Sequence, residues 1–436
     1  MQSLRERLQE RARAKGVIRV GLVGAGQMGT GLISQVEKMD GVRVVAVADV
    51  VQGRPQAAFA ESDVPTEQVE LIEDNLEKAG AAIANGKRVA THHSDFLVNI
   101  PHLDVIVEST GVPEVGARIC EAAILAGRHI VNMNVETDAT IGYQLYRLAR
   151  EKGVVYSLVA GDEPGSIKEL FDFADALGFE IVTVGKGKNN PLDRSATPAS
   201  LAERAGRNEM SAKMLCSFVD GTKTMVEMTS IGNGVGYAPE VRGAYGPQTT
   251  VADLAKVFVP KADGGIFDQK YRVDYAVGDV APGVFIIITT DQPKILKDLK
   301  YLRLSGHGNY FALYRPYHLA NLETPITIVH VALDGQATLV TKRPPVAETI
   351  AVAKRDLQPG EKIDSLGGYT VYGMIDQASA AAAENILPLG LAVGATVIKP
   401  VRLGEPIRYS DVELDESQAI VRLRRQQDAL VHTVTV

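Results

Sequence analysis

Residues 17–29 read VIRVGLVGAGQMG, a β-branched apolar run that breaks into closely spaced glycines. A continuous apolar run of this kind fits a strand buried on both faces, and the following QMGTGLISQVEKM carries apolar residues at helical spacing. Gly24, Gly26 and Gly29 stand in G-x-G-x-x-G between that strand and that helix. The first glycine permits a tight turn, the second a close approach of pyrophosphate, the third close packing of helix on sheet. The helix start at Gln27 and Met28 adds unpaired N–H groups aimed at phosphate. The next apolar run, VRVVAVAD, ends in Asp49, about twenty residues on, where a carboxylate accepts the ribose hydroxyls of adenosine. Together these features predict a dinucleotide-binding domain. Asp49 repels a 2′-phosphate and favours NAD, whereas Arg54 would hold that phosphate if Asp49 turned aside, so NAD and NADP both stay open.

After a long polar stretch the same rhythm returns: DVIVES, a helical PEVGARICEAAILAG, RHIVNM, a helical ATIGYQLYRLAREKG, and VVYSLV. Apolar strands alternating with amphipathic helices predict an α/β fold, a Rossmann-type doubly wound parallel sheet. Ligands sit at the carboxyl ends of such strands. ESTG therefore places Ser109, Thr110 and Gly111 on the nicotinamide side; the plainer reading is a strand-to-helix turn capped by Ser109 or Thr110 ahead of Pro113. NMNVETD and AGDEPGS end later strands, which brings Asn132 toward the cofactor and Asn134 and Glu136 toward substrate. Asp162 and Glu163, adjacent carboxylates beside glycines, suit acid–base work or a divalent cation such as Mg2+ or Mn2+. Asp138 and Ser166 read as helix N-caps.

Farther along, FEIVTVG and GVFIIITT suggest strands of a less regular α/β unit, and SIGNGVGYAPEVRGAYGP reads as a loop over a site. Within VTVGKGKNNPLD, Lys186 and Lys188 alternate with glycine, so an extended strand points both to one face. Two ammonium groups there call for an anion between them, and an ammonium stabilises a developing oxyanion or donates its proton. Asn189 and Asn190 continue past the strand end, where amides hold sugar hydroxyls. Ser211 with Lys213, and Arg315 with Tyr317 and His318, form two further patches suited to an anionic substrate. TKRPPVAE breaks the pattern and marks a linker near Pro345. The expected domains are 1–165 for the dinucleotide, 166–344 for an inserted α/β catalytic domain with a late segment free to return to the first, and 345–436 for a small β-rich module.

Composition narrows the function classes. A net charge of −7 with no basic stripe argues against nucleic acid. The two cysteines, Cys120 and Cys216, lie among apolar neighbours without metal spacing and read as reduced core residues. No window approaches a membrane span, and the charged N-terminal segment lacks the apolar run of a secretory signal. A cytoplasmic enzyme with a small-molecule substrate is expected, with the leading helix available for a homo-oligomer contact. The competing class is a non-catalytic dinucleotide-binding sensor.

The order GLVGAGQMG, VIVESTG, HIVNMNVETD, YSLVAGDEPGS, VGKGKNNPLD, GTKTMVEM and FALYRPYHL, followed by a C-terminal SAF-like module, resembles the 1-deoxy-D-xylulose 5-phosphate reductoisomerase-like enzymes, relatives of homoserine dehydrogenase. The resemblance runs over essentially the whole chain. It implies an NAD(P)-dependent oligomeric enzyme that rearranges a phosphorylated ketose and reduces the product to 2-C-methyl-D-erythritol 4-phosphate. On that reading Lys188 with Lys186 stabilises the oxyanion, Asp162 or Glu163 does acid–base or metal duty, and Lys213, Ser211 and Arg315 hold phosphate. Two features depart from it. Val135 stands where homoserine dehydrogenases have a lysine, which argues against homoserine, and Asp49 suits NAD better than NADPH. NAD-linked oxidoisomerases of acid sugars or sugar phosphates are the alternative.

Overall fold

The computed structural model describes residues 2–189, 191–207 and 210–434. The chain forms two compact units, Met1–Asp162 with Leu319–Lys342, and Glu163–His318 with Arg343–Val436.

The first unit is built on seven strands: β1 (Ile18–Val23), β2 (Val42–Ala48), β3 (Val69–Leu71), β4 (Arg88–Thr91), β5 (Val105–Glu108), β6 (His129–Asn132) and β7 (Tyr156–Leu158). Their order is β3-β4-β2-β1-β5-β6-β7 and every pairing is parallel. The chain winds outward from β1 through β2 on one side and through β5 on the other, so right-handed crossovers put helices on opposite faces. This is the doubly wound sheet, with its switch point between β1 and β5. Ile18, Val20 and Leu22 of β1 are fully buried and share a core with Leu32 and Ile33 of helix Gln27–Val36. Ile328 and Val329 join that core from helix Ala320–Asp334, part of the late segment that returns to this unit.

The polar stretch after β2 holds more structure than its pattern shows: β3, β4 and helices Arg54–Glu61, Leu76–Ala84 and Ser94–Asn99. β3 is a three-residue edge strand with no buried position, so it has no burial alternation to read. β4 begins with Arg88, buried at 3% exposure and paired with Glu37 at 2.7 Å, a charge that breaks the apolar run.

The second unit carries β8 (Glu180–Lys188), β9 (Arg272–Val277), β10 (Val284–Thr289), β11 (Gly306–His307) and β12 (Tyr310–Arg315), ordered β11-β12-β10-β8-β9. β8 is interior, antiparallel to β10 and parallel to β9, which buries it through Lys188. The glycines alternating with the lysines have a packing reason. A Cβ on Gly185 would stand 2.5 Å from the Phe285 ring, and one on Gly187 2.2 Å from the Ala281 backbone nitrogen. One face of the strand is thus closed to side chains while the other carries Lys186 and Lys188.

β13 (Ala347–Ala353) and β14 (Val371–Gln377) pair antiparallel in the C-terminal part of this unit. They lie on helix Thr222–Val235. Asn233 of that helix accepts from the Val346 and Ala347 N–H groups, and Thr349 donates to Thr229 at 2.8 Å. The glycine-rich stretch expected as one loop is therefore helix up to Val235 and loop only beyond it. Among the described residues no helix is long and apolar enough to cross a membrane.

Candidate active site

At the switch point of the first unit the glycine loop is tight on one side and open on the other. Gly24 has φ +99°, and a Cβ there would meet the Ser109 backbone at 2.9 Å. A Cβ on Gly29 would stand 2.1 Å from the Gly24 carbonyl. Nothing lies within 4 Å of the Cβ that Gly26 lacks, and Gly26 is the N-cap of helix Gln27–Val36, without a side-chain cap. The backbone at Gly26 is therefore open to close approach, and the first-turn N–H groups at Gln27 and Met28 have no intrahelical acceptor, which together fit a pyrophosphate. Asp49 accepts from the Ala25 N–H through Oδ2 and the Val51 N–H through Oδ1, each at 2.9 Å. Arg54 stands 3.6 Å from the same carboxylate, so the residue that would hold a 2′-phosphate is already facing an anion. Ser109 Oγ donates to the carbonyls of Gly24 at 2.8 Å and Val23 at 3.0 Å, tying the loop after β5 to the end of β1. Gly111 completes the turn with φ +66°.

Behind this edge the expected ligands become framework. Asn132, fully buried, gives its amide hydrogens to the Asn134 carbonyl and the Tyr156 hydroxyl, and its oxygen accepts from the Asn134 N–H. Asn134 is the N-cap of helix Val135–Lys152, accepting from Thr137 N–H at 3.1 Å and donating to the Val112 carbonyl. Asn132 therefore braces the edge, and Asn134 caps the helix. Asp138 is not a cap but a buried residue inside that helix, accepting from Tyr156. Glu136 lies half-buried in its first turn. Sequence reading passed over Glu108, at the end of β5: it is fully buried, and burial lifts its carboxyl to about 7 against hydrogen bonds from Thr110 and Asn134.

The second unit gathers its charges on the open face of β8. Lys186 Nζ donates to Glu163 at 2.6 Å and to Glu227, and Lys223 stands 3.9 Å from Glu227. The anion that Lys186 requires is thus supplied by the protein. Burial alone would push this ammonium down, but Glu163 and Glu227 outweigh it and keep it protonated. Burial and then the charge of Glu163 raise the pKa of the Glu227 carboxyl, against the opposing pull of Lys186 and Lys223. Lys188, at 4% exposure, donates to the Phe218 carbonyl at 2.8 Å. Burial and the neighbouring Lys186 push its pKa down to about 8. His318 donates through Nδ1 to the Pro282 carbonyl at 2.7 Å, which leaves Nε2 3.6 Å from Glu163.

Arg315, Tyr317, Ser211, Lys213 and Asn189 are not part of this group. Ser166 lies inside helix Glu163–Ala176 rather than capping it, and with Glu169 it accepts from Arg315, whose guanidinium lies over the Tyr317 ring. Ser211 is the N-cap of helix Ala212–Val219 and, like Lys213, is exposed. Asn189 is exposed just past β8, and Asn190 lies outside the described residues. Asp162 closes the first unit, half-buried, immediately before Glu163. Glu227 was legible only as one carboxylate in the Thr- and Met-rich run TKTMVEM, a weak signal until helix and strand are brought together.

Three family models match separate parts of the chain. Residues 24–158 match the homoserine dehydrogenase NAD binding domain, residues 161–324 the catalytic domain of oxidoreductase DRL, and residues 348–413 the SAF domain. The domain set is that of an NAD(P)-dependent oxidoreductase. No curated protein matches the chain. Among solved structures, a probable dehydrogenase from Thermotoga maritima is 12% identical with a TM-score of 0.43, over 74% of this chain and 91% of that one. Scyllo-inositol dehydrogenase from Lactobacillus casei, solved with NAD(H) and scyllo-inositol, is 14% identical with a TM-score of 0.41, over 75% and 92%. Values of this size describe a loose likeness of chain path and carry no statement about substrate.

Proposed function

We propose that the protein uses NAD(P) to interconvert a small phosphorylated sugar with a rearranged, reduced product, as in the conversion of 1-deoxy-D-xylulose 5-phosphate to 2-C-methyl-D-erythritol 4-phosphate. The observation that carries this reading is the Lys188 amine, buried on an interior strand and donating to the Phe218 carbonyl, with its pKa pushed down to about 8 by burial and by Lys186. An ammonium has three donors, and among the described residues the hydrogen bond that Lys188 makes goes to Phe218. Lys188 offsets the charge on a substrate oxygen as a carbon–carbon bond breaks and reforms. Glu163, with His318 beside it, moves the proton of the reacting hydroxyl, and Lys186 fixes Glu163 in place. The glycine loop and Asp49 of the first unit would hold the nicotinamide cofactor, which would supply or accept the hydride. A divalent cation at Glu163 and Glu227 would have to displace the Lys186 ammonium from both carboxylates.

Asp49 supports a second reading. Its carboxylate, fixed at the glycine loop and facing Arg54, favours NAD, and Arg315 already holds Ser166 and Glu169 rather than standing ready for phosphate. An NAD-linked oxidoisomerase or dehydrogenase of an acid sugar or sugar phosphate fits these two features. In either case the partner is a small anionic molecule, and we place the enzyme in the cytoplasm as a homo-oligomer. Expression in a strain lacking the ordinary reductoisomerase separates the readings: rescue supports the first, while failure together with NAD-linked oxidation of acid sugars supports the second. Absence of turnover on both substrate classes would leave a non-catalytic NAD-binding protein.

A further inference from the structure

The C-terminal part of the second unit sends one charged side chain deep into the catalytic part. Lys354, immediately after β13, has a side chain only 2% exposed. Its ammonium donates to Asp220 at 2.7 Å and to the carbonyls of Ala196 and Gly368, each at 3.0 Å, with the Cys216 sulfur as a fourth, longer contact at 3.5 Å. Asp220, whose side chain is fully buried, also accepts from the Thr222 N–H at 2.9 Å. The Thr222 hydroxyl in turn accepts from the Gly373 N–H of β14 at 2.9 Å. Both ends of the short segment 220–222 are therefore fastened by the C-terminal strands. Two residues before Asp220 stands Phe218, whose carbonyl holds Lys188.

We propose that Lys354 is a positioning residue of the reaction: by neutralising Asp220 and fixing the 218–222 turn, it sets the place and the charge state of Lys188, and so makes the SAF-like module a working part of the active site. The inference rests on the reading that Lys188 handles the substrate oxygen. The charged groups acting on Lys188 are Lys186 on its own strand, Asp220 on the turn, Arg204 on helix Ala202–Arg207 and Glu227 on helix Thr222–Val235. Behind them stand Lys354 against Asp220, and Glu163 and Lys223 around Lys186 and Glu227. Asp220 favours the charged form of Lys188 and Lys354 blunts it, so the two act on Lys188 in opposite senses.

The titration itself needs no substrate. The full chain, labelled with 13Cε-lysine, is titrated by NMR, and the Lys188 resonance is identified by its loss in Lys188→Met. Lys354→Met is expected to raise the Lys188 midpoint by about one unit, the lower end of what a nearby opposite charge produces. Asp220→Asn is expected to lower it. If Lys354→Met does not fold, Asp220→Asn alone carries the test. A Lys188 midpoint that stays within a few tenths of wild type in the folded variants overturns the proposal. Turnover of Lys188→Met is measured alongside: an active variant would refute the functional reading and leave the titration result standing, whereas an inactive variant with unmoved midpoints would refute only the role of Lys354.

Discussion

The two units place function at strand ends by opposite means. At the β1–β5 edge of the first, the working surface is backbone: Gly24, Gly26 and Gly29 bring N–H groups into the open, and side chains such as Ser109 and Asn132 brace it. At the end of β8 in the second, the backbone is closed off by the packing at Gly185 and Gly187, and the proposed working surface is the charge on buried Lys186, Lys188 and Glu227 with half-buried Glu163 beside them. A backbone cradle is specified by neighbours in sequence and tolerates many surroundings. A buried charge group exists only when distant segments neutralise one another, because an unpaired ion there is strongly destabilising.

The largest effect that would test this contrast is on turnover. Lys188→Ala is expected to lower kcat by about 10² to 10³, the size of losing one oxyanion donor, with NAD affinity by fluorescence titration unchanged. Equal loss of both would contradict the division of labour. Next comes stability: Lys186→Met leaves Glu163 and Glu227 without the ammonium that bridges them, and chemical denaturation is expected to show a loss of about 3–5 kcal/mol. A change below 1 kcal/mol, roughly the range of an exposed pair, would show that water already screens the group.

Gly29→Ala probes the other unit. The new methyl meets the Gly24 carbonyl, so a stability loss of about 1–3 kcal/mol and weaker NAD binding are expected in melting and titration experiments. The pH profile sharpens the assignment of Lys188. Its folded pKa of about 8 lies below the ordinary lysine value, so the ammonium is present below that pH and lost above it. Turnover in the direction of reduction should fall as pH rises through about 8; a flat profile to pH 9.5 would remove Lys188 as the proton-bearing group. The smallest effect is cofactor choice. Asp49→Ser is expected to shift preference toward NADP by about tenfold, and an unchanged ratio of kcat/KM values would mean that the carboxylate, held by Ala25 and Val51, does not reach the ribose.

The sequence determined the α/β class, the position of the dinucleotide cradle and the strand that bears both lysines, because glycine spacing and apolar runs are local properties. It did not show β3 and β4, since a short half-exposed edge strand and a strand opening with buried Arg88 carry no periodic signal. Nor did it show that Lys186 is claimed by Glu227, that Asn134 is a cap, or that Lys354 reaches Asp220 from more than a hundred residues away. Those outcomes depend on which carboxylate, carbonyl or amide arrives beside each group when helices and strands pack, and only the tertiary structure decides that.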